Sequence, residues 1–138
     1  MRFWDTSALV PLIIDEPSTT RMAELLSDDP EITVWIGTNV EITSALVRRT
    51  RAGDRFALRN AETLIASLAS AWLEVNESAA AVDRATHLAK THRLRAMDAL
   101  QLAAALIACE YKPTRLNFVT LDIALAAAAR AEGFVVLP

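Results

Sequence analysis

The stretch "NFVTLDIALAAAARAEGFVVLP", residues 117 to 138, decides how the rest of the chain is read. Asn117–Thr120 has the β-branched and aromatic content of a strand. The alanine-rich run from Asp122 to Glu132 reads as a helix, Gly133 as its stop signal, and Phe134–Pro138 as a second strand. A strand, a helix and a strand in succession form a crossover, the connection that joins parallel neighbours in a sheet.

The same alternation runs back through the chain. Arg2–Asp5 reads as a short strand, followed by a helical stretch from Thr6 to about Ile14 and a second helix over Ser18–Ser27. "EITVW" (Glu31–Trp35) is a β-branched strand, and Thr38 to Gly53 has helical spacing that ends on a glycine. A long helix is expected over about Asp54–Ala71 and a third strand at "WLEV" (Trp72–Val75). Ser78–Thr91 and Arg95–Cys109 read as two helices broken near His92-Arg93. No repeat is visible. Strands alternating with helices imply one α/β domain with a mostly parallel sheet covered on both faces. In such sheets ligands bind beyond the carboxyl ends of the strands, where the strand order reverses.

Composition narrows the functional classes. The chain has 138 residues, 53% of them hydrophobic, with only three glycines and five prolines, which excludes a disordered or low-complexity protein. The apolar run Ala8–Ile14 is fenced by Asp5 and by Asp15-Glu16, so a signal peptide is not expected, and no uncharged run has the length of a membrane span. The single cysteine, Cys109, cannot form an internal disulfide and is expected in the core; a reducing cytoplasm is the expected location. A net charge of -3 lacks the basic footprint usual for nucleic-acid binders. Yet twelve of the fourteen cationic residues are arginines, crowded at Arg48, Arg49, Arg51, Arg55 and Arg59 and again at Arg93 and Arg95. Arginine is the side chain suited to forked phosphate contacts, although a solvated helix face explains each of them as well.

Four acids stand out: Asp5, Glu41, Asp98 and Asp122. Each has a structural explanation at a helix start. Asp5 and Asp122 can cap the helices that follow, Thr38-Asn39-Val40-Glu41 matches a capping box, and Asp98 sits in the first turn of its helix, where the macrodipole favours it. Capping does not explain the company Asp98 keeps. In "RAMDALQLAAAL" (Arg95–Leu106) the residues are apolar nearly all the way round, the mark of a buried helix, and only Gln101 is polar beside Asp98. A buried carboxylate needs a partner. If Asp5 and Asp122 end neighbouring strands, and Glu41 and Asp98 begin helices reaching the same edge, four negative charges converge. A hard divalent cation, Mg²⁺ or Mn²⁺, would relieve their repulsion. Ser7 and Thr120 could place hydroxyls at such a site, or simply bond the local backbone. His87 and His92 are expected on the surface, Trp4, Trp35 and Trp72 in core or rim packing. No Gly-rich nucleotide motif, zinc motif or serine triad is present.

"DTSALVPLII", "GTNVEITSALVRRTRAG", "LRAMDALQLAAAL" and "FVTLD" together resemble the acidic motifs of the PIN-domain family, in order and over the whole chain. The phrase "MDALQLAAA" is most similar to VapC toxins, the ribonuclease half of a toxin-antitoxin pair. The resemblance implies a five-stranded parallel sheet in order 3-2-1-4-5 flanked by about seven helices. It implies Asp5 and Asp98 as principal metal ligands, Asp122 completing the shell, and Glu41 holding a metal or its water. It implies Mg²⁺-dependent endoribonuclease activity leaving 5′-phosphate and 3′-hydroxyl ends, a homodimer, and silencing by a VapB-like antitoxin. "ALVPLII" and "MAELL" would supply the antitoxin's groove, unless they simply close the core. Two alternatives carry different chemistry: a receiver-like Mg²⁺-binding signalling domain, and a non-catalytic RNA- or protein-binding module. The receiver reading wants an acid pair after the first strand, where this chain has Thr6-Ser7.

Overall fold

A computed structural model describes residues 1–56 and 58–138. The elements run β1 (Arg2–Trp4), α1 (Thr6–Leu9), α2 (Thr19–Asp28), β2 (Ile32–Trp35), α3 (Thr38–Arg51), α4 (Leu58–Ala69), β3 (Leu73–Val75), α5 (Ser78–His92), α6 (Ala96–Ala108), β4 (Asn117–Val119), α7 (Ile123–Ala131) and β5 (Val136–Leu137). All four strand pairings are parallel, and the sheet order is β3-β2-β1-β4-β5. The expected α/β fold with its 3-2-1-4-5 sheet is therefore the observed one.

Two expected helices differ in extent. The stretch from Thr6 stops as an α-helix at Leu9 and continues only as a 3₁₀ turn over Val10–Leu12, because Pro11 lacks the N–H that an α-helical bond requires. The helix expected from Asp54 is described from Leu58; residues 54–56 are irregular, and Ala57 lies outside the described residues. Between α5 and α6 the expected break falls on Arg93, which adopts the left-handed conformation with φ 55°.

The two sheet faces build separate cores by simple alternation. Phe3 and its β4 partner Phe118 stack at 5.3 Å between ring centroids, on the face covered by α5, α6 and α7. Their chain neighbours Trp4 and Val119 point the other way, into a core closed by α1 to α4. Cys109 is buried in the first core, as expected. Trp4 and Trp72 are buried and Trp35 partly so. The buried "ALVP" and "MAELL" residues, Ala8, Leu9, Val10, Pro11, Met22 and Leu25, close the second core. Burying them is what holds α1 and α2 against the sheet. Helix α6 is buried through Ala99, Leu102, Ala103, Ala104, Ala105 and Leu106, and its small alanines let it pack closely on α5 and over β2 and β3. Among the described residues no helix is long and apolar enough to cross a membrane.

His92 departs from its expected surface position. It is half-buried, and Nε2 lies 2.7 Å from Glu132, which also accepts a bond from Arg84 at 2.7 Å. This cluster ties the end of α5 to the end of α7, a contact between helices far apart in sequence.

Gly37 starts α3, and the Trp35 ring lies directly over its Cα, in the space a side chain would occupy. Gly37→Ala is expected to displace that ring and cost about 1–3 kcal/mol by overpacking. Denaturant unfolding followed by tryptophan fluorescence would measure it; an unchanged midpoint and spectrum would show that the ring yields freely.

Candidate active site

Because β1 and β4 are neighbours while the chain leaves them toward opposite edges, a crevice opens beyond their carboxyl ends. The first residue there is Asp5, whose φ and ψ are extended and which caps α1. Its Oδ2 accepts from the Ser7 N–H at 3.1 Å, from the Ser7 hydroxyl, and from the Thr120 hydroxyl at 2.9 Å. The two hydroxyls also join the loops around them: the Leu121 N–H donates to Ser7 Oγ at 2.9 Å, and the Asp122 N–H donates to Thr120 Oγ1 at 3.1 Å. Ser7 and Thr120 thus bind both the backbone and the acid. Asp5 is left with Oδ1 outside this web.

Asp122 caps α7, its Oδ1 accepting from the Leu125 N–H at 2.7 Å. Glu41 does not close a capping box. Gly37 is the N-cap of α3, and among the described residues Thr38 Oγ1 is buried without a partner. Glu41 instead turns inward, and its Oε2 accepts from the Thr6 hydroxyl of α1 and from Gln101 Nε2 of α6. A glutamate engaged by two other helices cannot also reach back to its own helix start. Gln101, expected beside Asp98, serves Glu41.

Asp98 is half-buried and, among the described residues, accepts no hydrogen bond and forms no ion pair. All four acids line one cleft of about 780 Å³ together with Thr6, Ser7, Glu16, Ser44, Arg48, Arg95, Met97 and Leu121. Residues 41, 44, 45 and 48 are successive faces of the same side of α3, so one helix carries the lining from an acidic floor to a basic rim. Arg49, one residue on, is held instead by Glu16 and by Asp54 at 2.6 Å. Thr6, Gln101 and Glu16 carry no motif that marks them in the sequence as site residues. The one sequence signal for Gln101 was a lone amide on an apolar helix.

The electrostatics match this crowding. Burial lifts the Asp5 carboxyl above its ordinary value, the hydroxyls of Ser7 and Thr120 pull it back, and the charge of Asp122 adds to the rise. Burial raises Glu41 as well, against the donors from Thr6 and Gln101. Asp98 is raised by burial and then by the charges of Asp122 and Asp5, with Arg95 opposing. Among the described residues no three His, Cys, Asp or Glu side chains stand close enough to enclose an ion as they are.

A sequence model of the PIN domain matches residues 2–131. The chain belongs to the PIN domain family. Among solved structures it is similar to the crystal structure of PAE2754 from Pyrobaculum aerophilum, with a TM-score of 0.65 and 22% identity over 92% of this chain and 78% of that one. At that identity the likeness concerns the fold alone. No curated protein matches the chain significantly.

Raised acids give this site a pH signature. The folded protein keeps a proton on Asp98 at pH values where the unfolded chain has lost it, so the stability Asp98 contributes is full below its ordinary pKa. It is lost as pH rises through the raised folded value. Without divalent cations, Asp98→Asn is expected to melt with wild type below about pH 4 and above it near pH 7 to 8. Parallel melting curves at all pH values would show that Asp98 is not strained by its neighbours.

Proposed function

We propose that the protein is a divalent-metal-dependent endoribonuclease, the toxin of a VapBC-type pair acting on RNA in the cytoplasm, with Asp5, Glu41, Asp98 and Asp122 as its catalytic acids. The reading rests on family membership, since PIN domains are generally nucleases, and above all on Asp98: a half-buried carboxylate without a partner among the described residues, repelled by Asp5 and Asp122 in the same cleft. The donors fit a hard cation. They are all oxygens, and among the described residues Glu41 Oε1 is buried without a hydrogen-bond partner. Asp5, Asp98 and Asp122 would hold Mg²⁺, or Mn²⁺ in its place, once drawn together by its charge, with Glu41 beside them.

When bound, the ion would supply Lewis acidity, lowering the pKa of water and offsetting charge on the leaving oxygen. The protein supplies the positions. Ser7 and Thr120 hold Asp5 at the head of the crevice, Thr6 and Gln101 hold Glu41, and the α7 N-terminus holds Asp122. With water as nucleophile the RNA 2′-hydroxyl takes no part, so the products carry 5′-phosphate and 3′-hydroxyl ends. Arg48 and Arg95 flank the acids in the cleft wall, and neither forms an ion pair among the described residues. They are free to take the phosphates on either side of the reacting one. The partners proposed are a second copy of the chain and a VapB-like antitoxin, and the whole chain is read as one nuclease domain.

Incubation of RNA with the protein and Mg²⁺ should yield fragments with 5′-phosphate ends, lost on chelation. Asp98→Asn should reduce the rate by about 10²–10³-fold while the protein stays folded. A variant that cuts as fast as wild type, with metal-independent melting of both, would leave a non-catalytic binding module as the better reading.

Binding of a single-stranded RNA, followed by anisotropy across salt concentrations, addresses the rim. Each phosphate contact contributes about -0.7 to the slope of log K against log salt, so Arg48→Ala or Arg95→Ala should each flatten it by roughly that amount. Slopes equal to wild type would remove both arginines from the RNA path.

A further inference from the structure

Gln101 is the one polar residue among the buried positions of α6, with 1% of its surface exposed. An amide there is costly, and among the described residues its Oε1 is indeed buried without a partner. Its other end is fully used. Nε2 donates to Glu41 Oε2 and, at 3.0 Å, to Thr6 Oγ1; the Thr6 hydroxyl in turn donates to the same Glu41 Oε2. The donor directions are fixed by chemistry, because a carboxylate oxygen only accepts and a hydroxyl that gives its hydrogen to Glu41 must accept from the amide. Three side chains from α1, α3 and α6 thus close a circuit on one oxygen. Among the described residues the Trp35 indole N–H and Glu41 Oε1 each stay buried without a hydrogen-bond partner, so the hydrogen bonds that hold this carboxylate come from Gln101 and Thr6.

We propose that Gln101 is a positioning residue: through Nε2 it fixes the rotation of the Glu41 carboxylate beside Asp5, and so tunes the cleft's hold on a divalent cation. This rests on the nuclease reading only for the activity it would affect, because cation binding can be measured without cleavage. Residues that orient a metal-binding carboxylate typically change metal affinity or activity about 10–100-fold when removed.

The test is a double-mutant cycle with Gln101→Met, which keeps the volume and removes the donor, and Glu41→Gln, each alone and combined. Mn²⁺ affinity by calorimetry is read first, then the RNA cleavage rate. Gln101→Met is expected to weaken Mn²⁺ binding about 10–100-fold in the wild-type background and to have little further effect once Glu41 is replaced. Thr6→Val interrupts the same circuit from α1, should shift Mn²⁺ affinity in the same direction, and takes the place of Gln101→Met if that variant does not fold. Unchanged Mn²⁺ affinity, no detectable Mn²⁺ binding by wild type, or equal losses with and without Glu41 would each overturn the proposal and leave Gln101 a packing residue. If wild type binds Mn²⁺ but cuts no RNA, the nuclease reading falls while the cycle on Mn²⁺ affinity still decides the role of Gln101.

Discussion

The constraint on which the site depends is the gathering of carboxylates at the one place where the sheet reverses direction. Asp5 and Asp122 reach it because each directly or closely follows one of two adjacent central strands, and Glu41 and Asp98 because their helices start at the same edge. Charges of one sign in a partly desolvated crevice raise one another's pKa, and the protein answers with donors. Asp5 takes three bonds on one oxygen, Glu41 two, and Asp122 the first turn of its helix. Asp98 takes none among the described residues. The tethered acids are placed, and the untethered one carries the remaining imbalance.

The scaffold that maintains this crowding is insulated from it. Because side chains alternate along each strand, Phe3 and Phe118 seal one core and Trp4 and Val119 the other within a single residue of the acid at position 5. The two cores lie on opposite faces of the sheet, and Asp5, which follows β1, is itself buried beside them, while Glu41, Asp98 and Asp122 are half-buried. That geometry raises the pKa values and makes each local hydrogen bond count for more than it would in water.

Charge distribution, rather than net charge, reconciles an acidic protein with the polyanionic substrate proposed for it. Several arginines are consumed in ion pairs: Arg2 with Asp28, Arg49 with Glu16 and Asp54, Arg84 with Glu132, and Arg115 with Glu110. Arg48 differs from its neighbour Arg49 only in the face of α3 on which it falls, and that face opens onto the cleft. A helical periodicity of 3.6 residues separates a structural cation from one available to phosphate.

Local sequence determined much of this protein. Alternating strands and helices, the break at Arg93, the stop at Gly133 and the acids at helix starts all follow from backbone and side-chain preferences acting within a few residues. The same local rules misjudged α1, where Pro11 interrupts an otherwise helical pattern, and Glu41, whose capping-box spacing is present but unused. Only tertiary structure decided the partners. The Thr120 hydroxyl meets Asp5 across 115 residues, Gln101 meets Thr6 across 95, and Glu41 across 60. His92 is drawn from the expected surface to Glu132 across 40. Strand order brings these groups together, and no periodicity within one helix or strand specifies which distant donor a buried carboxylate will meet; that choice is made by the packing of helices on the sheet.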